Sequence, residues 1–358
     1  MNELHQKTVS ESPPILEGLV STIIPVFNRP KMLRVAVQSV LQQTYDRVEV
    51  IIADDGSTDE TPSVAAELVE SHPGVVSYVR HENSGPGPSR ELGRRQARGE
   101  YLQYLDSDDR LLSNKFTDQV SSLRQNPDCD IAYGVTRLVD ASGDVLSDPF
   151  KWTDRRIETL FPGLLVDRWW CTHTPLYRRS LTDKIGPWCD MRWSQDWEYD
   201  SRIGSINTRL VHCGSHVSEH VHHEGERQTS AASWFTDPVR LRNRVQLMEV
   251  LSDGAKKANV PSSAPERQHF ARWCFMIGRQ CATQSMREEA EKCFSLALDS
   301  AGEDGPGGRG IGIYRTAVRW LGGPLTGRLE QFARRFKGQP SSATMEQSFA
   351  SQTNAEQR

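Results

Sequence analysis

Apolar and polar positions alternate in blocks along the first hundred residues. VSTIIPV, from Val20 to Val26, is a short β-branched run closed by a proline, and it reads as a buried strand. PKMLRVAVQSVLQQ follows, with Met32, Leu33, Val37, Val40 and Leu41 at the spacing of one helix face. VEVIIA, from Val48 to Ala53, is again short, β-branched and bounded by a turn. A helix over 58–71, a strand in VVSYVR, a helix through SRELGRRQAR and a strand in YLQYLD continue the series. This succession predicts an α/β fold whose sheet is mainly parallel, flanked by helices on right-handed crossovers.

Charge gathers where these strands end. An unpaired buried carboxylate is costly, so a buried strand sheds its charge as it emerges. Asp54 and Asp55 follow VEVIIA ahead of a Gly-Ser turn, and Asp106, Asp108 and Asp109 crowd the turn after YLQYL. In open α/β sheets ligands lie beyond the C-terminal strand ends, so both groups face one ligand-binding edge. Three carboxylates in one turn repel one another unless a cation sits among them. Hard oxygen ligands suit Mg²⁺ or Mn²⁺, which keep waters and take substrate phosphate as further ligands. The plainer alternatives are a cap at Asp59 and a solvated acidic turn ahead of Leu111.

Four stretches, in order, resemble the family-two glycosyltransferases, which have the GT-A fold: STIIPVFNRPKMLRVAVQSVLQQTYDRVEVIIADDGSTDET, ENSGPGPSRELGRRQARGEYLQYLDSDD, PLYRRSLTDKIGPW and SQDWEYDSRI. The resemblance covers about residues 18–230. It implies that Pro25, Val26, Phe27 and Asn28 hold the base of a donor nucleotide, with Phe27 stacked on it. Asp55, with Asp54 beside it, would accept from the base N–H. Asp106 and Ser107 would reach the ribose or a metal-bound water, and Asp108 the metal itself. Asn83, Gly85 and Arg90 match a further donor loop, although Glu91 stands where the family usually has Asn. Gly93 and Gly99 read as packing and turn glycines.

The chemistry of glycosyl transfer asks for one more group. Negative charge grows on the leaving diphosphate, where a metal can neutralise it, and the attacking hydroxyl must lose a proton. WSQDWEY offers Asp196 and Glu198; the resemblance selects Asp196 as the base and leaves Glu198 as a helix cap. Direct displacement inverts the anomeric centre, as the family does, and makes the chain a hexosyltransferase-like inverting enzyme.

Histidines cluster in HVSEHVHHEGERQTS. On a strand His220 and His222 would share a face. The resemblance implies that His222 or His223 completes the metal site, with Arg227 and Ser230 closing over phosphates. Three histidines also suggest zinc, but the oxygen-rich aspartate turn argues for a harder ion. RWWCTHTPLYRRS offers His173, Trp169 and Trp170 for an acceptor pocket, the alternative being that both tryptophans anchor the core.

PERQHFARWCFMIGRQCATQSMREEAEKCFSLALDSAG predicts two amphipathic helices joined near Gln284 and Ser285, a single tetratricopeptide-like hairpin that packs on the transferase. The expected division is a flexible N-terminus over 1–17, a GT-A domain over 18–235, a helical extension over 236–302, a linker and basic amphipathic segment over 303–337, and a disordered tail over 338–358. Ile311, Ile313, Tyr314, Val318, Trp320 and Leu321 lie near Arg315 and Arg319; Leu325, Leu329, Phe332 and Phe336 lie near Arg328, Arg334, Arg335 and Lys337. Such a pattern suits an interfacial helix on anionic membrane, or a helix packed on the hairpin.

Composition narrows the choice of partners. A net charge of −4 over 358 residues gives no basic field for nucleic acid. The seven cysteines show no metal or disulfide spacing, which suits a reducing compartment. MNELHQKTVSESPP has no apolar core for a secretory signal, and no run approaches the ~18 apolar residues of a membrane span. The expectation is a cytoplasmic enzyme, peripheral at the inner face of the membrane. Its partners would be a nucleotide-sugar donor, UDP-linked, and a sugar or lipid-linked glycan acceptor in polysaccharide synthesis. A sugar-nucleotide pyrophosphorylase is the alternative enzyme, but PVFNRPKM lacks the Gly-rich basic loop a triphosphate needs. A scaffold working through its helical C-terminus is the alternative of another class.

Overall fold

The computed structural model describes residues 13–223, 237–302, 308–323, 325 and 326. The four leading strands form where expected: β1 (Leu16–Val26), β2 (Val48–Asp54), β3 (Val76–Arg80) and β4 (Gly99–Tyr104). Between them run α1 (Pro30–Leu41), α2 (Thr61–Ser71) and α3 (Pro86–Gln96). α2 starts three residues later than the sequence suggested. Asp59 Oδ1 accepts from Thr61 N at 2.9 Å, and Pro62 sets the first turn. Asp59 therefore guards this end, as a cap would.

β1 to β4 pair parallel in the order β3-β2-β1-β4. The sheet then turns mixed. After β5 (Arg110–Leu111) and α4 (Lys115–Gln125) come β6 (Ile131–Asp140), β7 (Val145–Ser147), β8 (Leu176–Arg178), α5 (Arg179–Ile185), α6 (Gln195–Gly204) and β9 (Leu210–His222). β8 is antiparallel to both β4 and β6, β9 is parallel to β6, and β5 closes the edge against β9.

Period-two alternation assigns the two cores. Val20, Ile24, Val50, Ile52 and Tyr101 face α1, α2 and α4, while Ile23, Ile51, Leu102 and Tyr104 face the other layer. Gly93 and Gly99 are close-approach positions: an added Cβ would lie 2.4 Å from Ile23 Cγ2 and 2.6 Å from Ser21 Oγ respectively.

The second layer runs without a break into the helical region, α7 (Pro238–Lys257), α8 (Pro265–Thr283) and α9 (Arg287–Ala301). α7 presses on α6 so closely that a Cβ at Gly254 would meet Ser201 Oγ at 2.6 Å. Trp197 of α6 meets Trp273 of α8 at 5.1 Å between ring centroids. The α8–α9 hairpin turns at Ser285, which has φ +62°, and packs on α7, with α8 also meeting the turn over 163–165.

α10 (Gly308–Leu321) lies on α9. Ile311 is buried there, Tyr314 packs on Phe275 and Phe294, and Arg315 and Arg319 both pair with Glu291. The apolar stripe is thus divided, because Ile313 and Trp320 are 72% and 84% exposed. Arg328, Leu329, Phe332, Arg334, Arg335, Phe336 and Lys337 lie outside the described residues, as do Arg227 and Ser230. No described helix is long and apolar enough to cross a membrane.

Candidate active site

β1 and β2 end level, with Val26 opposite Asp54, while β4 ends beside them at Tyr104, opposite Ile23. Beyond them opens a cavity of about 540 Å³. Pro25, Val26 and Phe27 form one wall, with the Phe27 ring partly exposed. Asn28 does not line it. Its Oδ1 accepts from Thr58 N at 2.8 Å and its own N–H donates to Ser57 Oγ at 3.0 Å, so it pins the β2–α2 loop.

The adjacent carboxylates Asp54 and Asp55 part company. Asp54 is fully buried off the cavity, accepting from Ser57 N at 2.8 Å and from the Tyr78 hydroxyl at 2.7 Å. Its expected role beside the base is corrected to a structural one, since a strand end turns successive side chains to opposite faces. Asp55 lines the cavity and accepts from Ser84 N at 2.8 Å and Gly85 N at 3.0 Å. Gly85, at φ +98°, thereby ties the loop before α3 to β2, whereas Asn83 is exposed and off the cavity.

α3 delivers Ser89 and Arg90 to the cavity. Arg90 is buried, donates to Asp106 Oδ1 at 2.5 Å and lies over the Trp188 ring at 4.8 Å. Gly87 allows this approach: a Cβ there would sit 2.0 Å from Cys189 O. Glu91 points elsewhere, pairing with Arg94 at 2.8 Å and Arg95 at 2.9 Å. Burial pushes its carboxyl up, and the two arginines outweigh that and hold it below the ordinary range. The departure from Asn at this position therefore does not touch the cavity.

The acidic turn is balanced by side chains that the sequence had not brought together. Asp106 has Arg90, and Asp108 Oδ2 has Arg29 at 2.5 Å and His223 Nε2 at 3.0 Å. Asp109, nearly fully buried, takes His173 Nδ1 at 2.8 Å, His220 Nδ1 at 3.0 Å and Val221 N at 2.9 Å. Burial alone would raise the Asp109 carboxyl; the two imidazoles reverse this and hold it well below the ordinary range. His220 is lowered by burial and raised more strongly by Asp109, ending above its usual value.

Between the two metal candidates, His223 lines the cavity with Asp106, Ser107 and Asp108. His222 does not: β9 pairs it with Asp140 at the end of β6, and it is exposed. The donor set fits a hard divalent cation. Asp108 would supply a carboxylate oxygen and His223 a nitrogen, with Asp106 beside them, and His223 Nδ1 is buried with no hydrogen-bond partner among the described residues. Cys171, His173 and His220 also bring possible ligand atoms within 4.8 Å of one another. There, however, Asp109 engages both Nδ1 atoms, the rings stack at 11° and 5.9 Å, and burial pushes the Cys171 thiol up to about 12. Stacked, near-parallel rings do not aim two lone pairs at one ion, so this group reads as a polar network.

His173 and Trp170 are corrected as acceptor contacts. Both are buried: His173 holds Asp109, while Trp170 packs against Trp169 with ring centroids 4.5 Å apart and tilted by 43°, and donates to Asp200 Oδ2 at 2.8 Å. The tryptophans are core anchors.

α6 supplies the opposite wall through Gln195 and Asp196, after Ser194 at φ +62°. Asp196 Oδ1 accepts from Trp197 N at 2.9 Å, and Oδ2 pairs with Arg168 at 3.0 Å. Burial raises this carboxyl, but Arg168 and then Arg90 outweigh it, so Asp196 lies below its usual value. Glu198 is not a cap; it pairs with Arg202 at 2.7 Å one turn on. Arg29 and Arg168 are charged partners of the site that the sequence did not mark, whereas Asp109, legible in the acidic turn, proves to be buried against two histidines instead of facing the cavity.

Residues 21–186 match the family model described as Glycosyl transferase family 2. This part of the chain belongs to that family. The family-two domain carries the strand ends, Arg90 and the acidic turn, while Asp196 and His223 lie beyond the matched residues. An uncharacterised glycosyltransferase of Rickettsia felis is 38% identical over 131 residues, 36% of this chain and 21% of that protein. Chondroitin synthase of Escherichia coli is 34% identical over 134 residues, 37% of this chain and 19% of that protein. The matches thus span about a fifth of these relatives' length. In fold, the chain resembles S. aureus TarS 1–349 in complex with UDP-GlcNAc, with a TM-score of 0.61 and 18% identity over 90% of this chain and 92% of that one. That likeness extends past the family-two domain into the helical region.

Proposed function

We propose that this protein transfers a hexose, with inversion, from a UDP-linked donor to a hydroxyl of a sugar or lipid-linked glycan. Residues 18–235 form the transferase unit in this reading, braced by the helices that follow. The observation that carries it is the meeting of Asp55, Asp106, Asp108 and Asp196 on one cavity at the ends of parallel strands. The TarS complex supports UDP-GlcNAc as the first donor to test.

Pro25, Val26, Phe27 and Asp55 flank the base, and Asp106 with Ser107 faces the ribose. Asp108 and His223 would hold a Mg²⁺ or Mn²⁺ ion, which neutralises charge on the diphosphate when bound. Arg29 and Arg90 add positive charge to the same side of the cavity. Asp196 takes the proton of the acceptor hydroxyl as its oxygen bonds to the anomeric carbon. The carbon–oxygen bond to the diphosphate breaks, and its electron pair leaves with the diphosphate.

A panel of sugar nucleotides incubated with Mn²⁺ or Mg²⁺ and glycan acceptors tests the reading. Nucleoside diphosphate release that rises with acceptor supports it. Pyrophosphate exchange would replace it with a pyrophosphorylase, and silence across the panel with a scaffold.

The acceptor class suggests work at the cytoplasmic face of a membrane. Exposed Ile313, Trp320 and Leu321 on α10 support reversible contact with anionic lipid. Co-sedimentation with anionic vesicles should fall when Trp320 and Ile313 become serine; unchanged sedimentation removes α10 from that role.

A further inference from the structure

Arg168 is a buried cation between two carboxylates of one helix. Its Nη1 lies 3.0 Å from Asp196 Oδ2 and its Nε 2.7 Å from Asp200 Oδ2. The two aspartates stand one turn apart on α6, so they share a face. Asp196 lines the cavity; Asp200 is 1% exposed and does not. Asp200 Oδ2 also accepts from Trp170 Nε1 at 2.8 Å, and Trp170 O accepts from Arg168 Nη1 at 3.2 Å. Trp169 and Trp170 in turn pack edge-on against Tyr133 at 5.2 and 5.8 Å. The guanidinium is therefore fixed by Asp200 and by the Trp170 carbonyl, and Nη1, shared with that carbonyl, meets Asp196.

We propose that Arg168 is the positioning residue of Asp196, and that Asp200 is the counter-charge that lets Asp196 accept a proton beside a buried arginine. This rests on the reading of Asp196 as the base. With Arg168 alone, protonating Asp196 would strand an unpaired cation in the protein interior, which is costly. With Asp200 present, the same step takes the group from a net charge of −1 to neutral and leaves Arg168 facing Asp200, whose carboxyl burial raises above its usual value although Arg168 Nε and Trp170 Nε1 both donate to it. The arginine fixes where the carboxylate sits, and the second aspartate offsets its pull on the proton.

The device predicts shifts of opposite sign. Removing the cation raises the proton affinity of Asp196, so the acid limb of the kcat–pH profile moves to higher pH. Removing the counter-charge lowers that affinity, so the limb moves to lower pH. The other titratable and charged groups near Asp196 are Arg90 of α3, Lys151 of the loop after β7 and the buried Tyr177 of β8, with Arg29, Asp55, Asp106, Asp108, His220 and His223 around the cavity. They are the same in every variant, so differences between profiles report on Arg168 and Asp200.

The test compares pH profiles of Arg168→Gln, Arg168→Lys, Asp200→Asn and Asp196→Asn. Expected shifts are about one pH unit upward for Arg168→Gln and about one downward for Asp200→Asn, the scale of a close charge pair. kcat should fall about tenfold or more in both, with the donor KM changed less than about twofold. Arg168→Lys keeps the charge but loses the fork, so its limb should stay near wild type while kcat drops. Asp200→Asn is close to isosteric and covers the case in which Arg168→Gln does not fold. Shifts of the same sign, or lower kcat with unmoved limbs, overturn the proposal. Full turnover by Asp196→Asn instead overturns the reading of Asp196 as the base.

Discussion

Arg29 reaches across from the start of α1 to place its Nη1 2.5 Å from Asp108 Oδ2, the oxygen that His223 also approaches at 3.0 Å. The acidic turn is thus held by a cation 79 residues away in sequence and by an imidazole just past the end of β9. Asp108→Ala removes the centre of this arrangement. Turnover should fall at least about a hundredfold and no longer respond to added Mn²⁺ or Mg²⁺, while the circular dichroism spectrum is kept. Near-normal, metal-responsive turnover would remove Asp108 from the metal site.

Asp196→Asn keeps the shape of the side chain but cannot take a proton. Donor affinity, measured by calorimetry, should change little, while turnover falls on the order of 10²–10⁴-fold. Loss of donor binding in step with turnover would make Asp196 a structural residue instead.

Asp54 should read out in stability. Asp54→Ala leaves the Ser57 N–H and the Tyr78 hydroxyl without their acceptor and should cost about 2–3 kcal/mol of stability in urea unfolding. A variant as stable as the parent would contradict the burial argument.

Glu91 gives a pH-dependent stability term away from the cavity. Its carboxyl is depressed in the folded state, because Arg94 and Arg95 outweigh the effect of burial. A depressed carboxyl stabilises above its unfolded pKa, near 4.3, and loses that contribution as pH falls toward the folded value. Arg95 is 68% exposed, so the discounted effect is about 1 kcal/mol. Glu91→Gln should lower stability by that amount at pH 7, converge with the parent below about pH 3, and leave turnover unchanged. Urea midpoints across pH would show it; a constant offset at every pH would sink the idea.

The sequence by itself determined the parallel strands, the edge to which they deliver charge, and most of the cavity's carboxylates. Short β-branched runs bury on both faces and shed charge at their ends, so Asp55, Asp106 and Asp108 were legible as one set. Tertiary structure decided what those carboxylates meet. The sequence does not say which of two neighbouring aspartates a strand end turns inward, and Asp54 became a buried anchor. Trp170 and His173 looked like acceptor contacts until the layer over Tyr133 and Asp109 closed on them. Arg29 and Arg168 left no mark in the sequence, because ion pairs form between chain segments that only the crossovers and the packing of α6 bring within 3 Å. Local periodicity decides which segments become strands and helices, whereas the partner of a charge depends on packing between segments far apart in the chain.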